Sequence, residues 1–349
     1  MSTSSYTPLS GPSGAGTAAG SGADAARPRP ITIRRGTGDR AFRGLARGSG
    51  ALVLLMMALV GGFLVLRGWS ALRVDGLKFL TTQQWEPDSH DFGIAGVLTG
   101  SVLIGLTAIF FALPLALGTA LYISEYAPAF LKGTLISLVD LMAAIPSVVY
   151  GLWGFLFLEQ HVVGVSRFIS TYFGWIPLLK VDGADPHNAL INLNVYSGST
   201  FIAGLTVALM VTPIATSVMR EAFSQAPLGE REGAYALGAT RWGMIRTVVL
   251  PFGRGGVIGG TMLGLGRALG ETIAVYIVIS IGYSIQPHIL QAGTSSVSAL
   301  IANHYGAATA LDMSGLMAAG LALFVLTLIV NFAASAIVAR SRSGSVSEA

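Results

Sequence analysis

Residues 230–251 read EREGAYALGATRWGMIRTVVLP, a polar stretch set between two long apolar runs. It carries Glu230, Arg231, Glu232, Arg241 and Arg246. Arg231 to Leu237 favours helix, and Gly238 suits the left-handed conformation that ends one. Thr240 is placed to cap a second helix that runs toward Leu250. Pro251 then blocks continuation in register, because its ring disfavours a helical residue before it. The stretch therefore predicts two short helices joined at Gly238. On physics alone it is equally an interfacial amphipathic loop or a rigid knob offered to a soluble partner.

The rest of the chain places that knob. Of 349 residues, 52% are hydrophobic and 11% charged, against about 25% charged in an ordinary soluble domain. Apolar runs of the length a membrane span needs, about 20 residues, occur near 49–69, 94–121, 134–158, 199–219, 254–284 and 312–338. The first is short, Ala51 to Leu66, but too long a segment precedes it for a signal peptide, so it reads as an uncleaved span. The fold class expected is all-α, a polytopic membrane protein of six transmembrane helices. The absence of cysteine excludes disulfides and thiolate chemistry.

Residues 1–48 read as a disordered, arginine-rich tail. Because it runs straight into a span, its seven arginines signal topology, not nucleic-acid binding. Six spans put both termini on one side. The side holding the tail, Lys132, the 220–254 segment and Arg340 with Arg342 has fifteen Lys and Arg, against five on the other, with Arg267 inside a span. That bias makes both termini, the 339–349 tail and the opening stretch cytoplasmic. The first span with its outer loop covers 49–93 and the main transmembrane domain 94–338. The loop near 159–198, expected outside, leaves open whether it holds a helix.

A second stretch, GRALGETIAV at 266–275, places Arg267 and Glu271 inside the fifth apolar run. Four residues apart, they are expected to meet on one helical face. Gly256, Gly260 and Gly264 share that face within about 80° of arc, a small-residue stripe that admits another helix closely. The pair either neutralises itself and locks packing or offers a planar donor fork to an oxyanion; ionisable residues within spans are functional candidates by default. Pro146 and Gly151 are expected to break or kink the third span, and Asp140 to lie at its cytoplasmic end. His90, His161, His187, His288 and His304 lack metal-ligand spacing. No phosphate-cradling loop is present, so neither a metal nor a nucleotide is expected on this chain.

The spacing in the opening stretch resembles the cytoplasmic motif of ABC importer permeases: Glu232-Gly233-Ala234, three residues, Gly238, nine residues, then Val248, Val249, Leu250 and Pro251. Gly233 stands where the motif has Ala, and Val248 where it has Ile. With AIPSVVYGLWG (144–154), GRALGETIAV and the loop FLTTQQWEP (79–87), roughly residues 50–340 are similar to the C-type permease of the phosphate-specific ABC importers. That resemblance implies a type I importer permease fold and the role of a non-enzymatic transport subunit in the bacterial inner membrane. It implies as partners a second related permease, two ATPase subunits that carry ATP and Mg, an external phosphate-binding protein and membrane lipid. It places ATPase docking on Glu232, Gly233, Ala234, Gly238, Val248, Leu250 and Pro251, and anion passage on Arg267 and Glu271. The competing readings are a permease for sulfate or molybdate, an ion-coupled secondary transporter, or a purely structural membrane subunit.

Overall fold

The computed structural model describes residues 37–86, 91–183, 188 and 192–342. The readings that fall on 1–36 and 343–349, and on His90 and His187, lie outside them. The chain divides into two compact units, residues 1–56 and 57–349. In the first, the described residues are helical from Thr37 onward, with Leu52 to Met56 exposed on every side. Helix α1 spans Thr37–Asp75. It thus takes in residues 37–48, which composition had assigned to a disordered tail; Ala, Leu and Arg there are good helix formers that an apolar helix extends.

In the second unit a 3₁₀ turn at Gly76–Leu80 and a two-residue antiparallel ladder, Trp85–Glu86 with Asp91–Phe92, follow α1. Then come α2 (Ala95–Leu121), α3 (Ala129–Ala144), α4 (Ser147–Trp153), α5 (Glu159–Phe173) and α6 (Thr200–Ser224). The remainder is α7 (Leu228–Ala236), α8 (Arg241–Met244), α9 (Leu250–Leu269), α10 (Ile273–Val278), α11 (Val297–His304) and α12 (Ala310–Arg342). Among the described residues, six helical stretches are long and apolar enough to cross a membrane.

The third of these is not 134–158. It runs Ser147–Phe173, through α4, a wide π-type turn at Gly154–Leu158 and α5. The earlier part of the apolar run, α3, is a separate helix that stops at Ala144 because Ile145 is extended ahead of Pro146. The first part of the 159–198 segment, expected outside and left open as to helix, is α5, which continues the span. The break at Pro146 leaves the Met142 carbonyl without its usual donor four residues on. The Tyr150 hydroxyl replaces it at 2.9 Å, which makes irregular backbone tolerable at membrane depth.

Helix α6 is the centre of the unit: 67% of its apolar window is buried, more than in any other described span. Packing against it depends on the glycine stripe of α9. A methyl at Gly256 would collide with Ala222 Cβ; one at Gly264 would sit 2.6 Å from Val211 Cγ1, and one at Gly260 3.0 Å from the Ala215 carbonyl. The stripe therefore mates with the fourth span of the same chain. Gly256→Ala is expected to destabilise the protein by about 1–3 kcal/mol through overpacking. Gly259→Ala, where nothing lies within 4 Å, serves as the control and should leave thermal unfolding in detergent unchanged or slightly improved.

Where the loops after α5 and before α11 meet, Lys180 Nζ lies 2.6 Å from Asp182 Oδ1, and His288 Nε2 lies 2.9 Å from Asp182 Oδ2. The hydrogen bonds from Lys180 and then His288 hold the Asp182 carboxyl below the ordinary carboxylate range. This clasp joins two loops more than 100 residues apart in sequence.

Candidate functional site

Helix α7 ends in a Schellman motif. The Ala239 N–H bonds the Ala234 carbonyl at 3.0 Å and the Gly238 N–H bonds that of Tyr235 at 2.9 Å, with Gly238 at φ +83°. Thr240 Oγ1 accepts from the Gly243 N–H at 3.1 Å and starts α8. The helix does not stop at Pro251. It runs from Arg241 to Leu269 through a wide turn at Ile245–Val249, in which the Leu250 N–H reaches back five residues to Ile245. The extra residue slips the register and takes the carbonyl that the proline ring would otherwise strike out of the way. The second short helix is thus the opening of the fifth span itself.

Met244, Ile245 and Val249 anchor this opening in a core with Ala116 and Ala120 of α2 and Ala215, Met219 and Phe223 of α6. Ala234, Val248 and Leu250 are half-buried, whereas Glu232, Gly233, Gly238 and Pro251 are exposed. Leu228, Tyr235, Leu237 and Trp242 also stand in solvent, Leu237 at 91%. Sequence reasoning passed over these four, although large apolar side chains scattered through a polar segment were the signal. Gly233 has open space around it and ordinary helical backbone. Gly233→Ala should therefore stabilise α7 by about 0.8–1.0 kcal/mol, read as a higher unfolding midpoint.

A buried ion pair fastens the knob from inside. Arg231 Nη1 lies 3.1 Å from Glu125 Oε2, with side-chain exposures of 16% and 4%. Arg231 Nη2 donates to the Phe223 carbonyl at 2.6 Å, and Ser124 Oγ donates to Glu125 Oε1 at 2.6 Å. Arg241 stacks over the Tyr126 ring at 5.1 Å. The helix pair is thereby held to the ends of α2 and α6.

The fifth span breaks where Arg267 and Glu271 were expected to pair. Helix α9 ends at Leu269 and α10 starts at Ile273, so the four-residue spacing no longer places both on one face. Among the described residues Arg267 has no acidic partner within ion-pair distance. Arg267 lies exposed in the last turn of α9, where a cation suits the helix dipole. Glu271 is buried, and its Oε1 accepts from the Ala274 N–H at 3.1 Å, capping α10. Ser298 Oγ donates to the Glu271 carbonyl at 2.8 Å, and the Val297 N–H donates to Ser101 Oγ at 2.9 Å. The Glu271 carboxylate and the Ser298 hydroxyl thus satisfy backbone groups at the break, while Ser101 caps the start of α11. This break meets the other one: a methyl at Gly151 of α4 would lie 2.8 Å from Ala274 Cα of α10. Asp140 of α3 is exposed and accepts from Ser217 Oγ at 3.3 Å.

The family described as binding-protein-dependent transport system inner membrane component matches residues 108–343. The chain belongs to this family. It is a multi-pass membrane protein and a transport subunit. Phosphate transport system permease protein PstC 2 of Mycobacterium tuberculosis is 36% identical over 307 residues, covering 86% of this chain and 91% of that protein. The PstC permease of Mycobacterium leprae is 37% identical, covering 86% and 92%; that of Xylella fastidiosa strain Temecula1 is 35% identical, covering 85% and 90%. Among solved structures, a chain of a bacterial alginate ABC transporter superposes with a TM-score of 0.56 at 17% identity, covering 89% of this chain and 97% of that one. That likeness shows an ABC permease fold.

Proposed function

We propose that the chain is one of two related permeases of an ATP-driven, binding-protein-dependent phosphate importer, with both termini in the cytoplasm of a bacterial cell. The observation that carries the reading is the 230–251 helix pair, turned at Gly238 and continuous with a span that breaks beside Arg267, which has no acidic partner among the described residues. The PstC relatives support phosphate as the cargo.

In this reading the exposed face of the helix pair, with Glu232, Gly233, Gly238, Leu237 and Trp242, seats the ATPase. Because α8 and α9 are one helical rod, closure of two ATPase subunits moves the fifth span directly. Arg267 offsets the desolvation of the anion in transit without binding it tightly, since a pathway site has to release its ion. Glu271 holds the break open by capping α10. One guanidinium undercompensates a dianion, so the second permease supplies further positive charge. ATP and Mg belong to the ATPase, and an external phosphate-binding protein delivers the ion.

The test is ATP-driven uptake of labelled phosphate by the complete transporter in proteoliposomes, with sulfate as competitor. Uptake that needs the co-purified ATPase and resists excess sulfate supports the reading. Uptake driven by a proton gradient without an ATPase would replace it with a secondary transporter.

A further inference from the structure

At the end of the fifth span next to the helix pair lies an open cleft of about 430 Å³. Leu117 of α2 and Leu250, Val257 and Ile258 of α9 make its walls, and Arg246 and Arg254 stand at it. It occupies a different face of α9 from the glycine stripe, which is closed against α6. The two arginines are brought together by the wide turn. In an unbroken α-helix, residues eight apart are rotated by about 80°. The residue absorbed by the turn at 245–249 makes that spacing act as seven, which leaves them about 20° apart and two turns distant. Both side chains are exposed, and no described carboxylate lies within ion-pair distance of either.

We infer that this cleft binds an anionic phospholipid, its phosphate held between Arg246 and Arg254 and its acyl chain laid along Leu117, Val257 and Ile258. Charge complementarity selects the headgroup: basic pockets between spans at a membrane surface attract anionic lipid. The apolar walls select a lipid over free phosphate: Arg246 and Arg254 would serve either anion, but only a lipid has an acyl chain to bury against Leu117, Val257 and Ile258. Arginines that serve topology alone need no cleft, no shared face and no apolar floor. The inference concerns the lipid environment and stands whatever the cargo is.

The experiment is native mass spectrometry of the complete transporter, titrated with phosphatidylglycerol and, separately, with phosphatidylcholine. The wild type should retain phosphatidylglycerol preferentially. R246Q/R254Q should bind it about thirtyfold more weakly, at about 1 kcal/mol per arginine. R246K/R254K, which keeps the charge, should retain most of the binding. Equal retention by wild type and R246Q/R254Q, with equal unfolding midpoints, would overturn the inference. So would displacement of phosphatidylglycerol by millimolar inorganic phosphate, which would make the cleft a free-anion site. Binding seen with the isolated chain and absent from the complete transporter would overturn it too, by showing that a partner subunit fills the cleft.

Discussion

Arg267→Gln is expected to lower ATP-driven phosphate uptake by on the order of 10- to 150-fold while the transporter still assembles. The magnitude is that of a lost charge-assisted hydrogen bond, about 1.5–3 kcal/mol. The structure sharpens this expectation, because Arg267 has no acidic partner among the described residues. Its removal therefore strands no buried carboxylate, and the stability of the complex should hardly change. Arg267→Lys should recover part of the uptake as a point charge without the planar fork. Glu271 behaves differently. Glu271→Gln keeps an oxygen that can accept from the Ala274 N–H, whereas Glu271→Ala leaves α10 uncapped at a cost of about 1 kcal/mol or more. Uptake should consequently fall further in Glu271→Ala than in Glu271→Gln. The two measurements are uptake in proteoliposomes and co-purification of the ATPase. Full uptake by Arg267→Gln would remove that residue from the pathway.

The second large effect is expected at Glu125. Glu125→Ala leaves Arg231 uncompensated at 16% exposure, and breaking a buried pair from one side costs about 3–5 kcal/mol. Arg231 retains the Phe223 carbonyl, which softens the loss but does not neutralise the charge. The double variant Glu125→Leu with Arg231→Met removes both charges, and buried pairs replaced by apolar residues of similar volume are often neutral in stability. It should unfold near the wild-type temperature. If the pair carries movement from the helix pair to α2 and α6, the double variant should nevertheless hydrolyse more ATP per phosphate imported than wild type. A wild-type ratio in a well-folded double variant would make the pair packing only.

Local chemistry was legible in the sequence and long-range pairing was not. Gly238 and Thr240 specify their turn by backbone conformation and a single side-chain oxygen, so residues a few positions apart suffice to read it. The Glu125–Arg231 pair joins residues 106 apart, and nothing beside Glu125 announces its partner. The third span was misplaced because the run from Leu135 to Leu158 is interrupted by only one charge, Asp140, and the break expected at Pro146 reads in a hydropathy profile as a kink within one span, not as the start of the next. The pairing of Arg267 with Glu271 assumed unbroken helix through Gly270, whereas the Ser298 hydroxyl and the Glu271 carboxylate satisfy the backbone of a break there. Pro251 suggested an end where a wide turn allowed passage.

The meeting of Gly151 with Ala274 has a consequence for how such a sequence drifts. The short helices that follow two interruptions, α4 after Pro146 and α10 after Gly270, lie against each other, and each interruption is stitched by a side chain from a few residues away, Tyr150 in one and Glu271 in the other. A lineage that straightened one helix would leave the other facing a surface it no longer fits. The four positions are therefore bound to a common fate: they change together, through intermediates of reduced fitness, or they do not change at all.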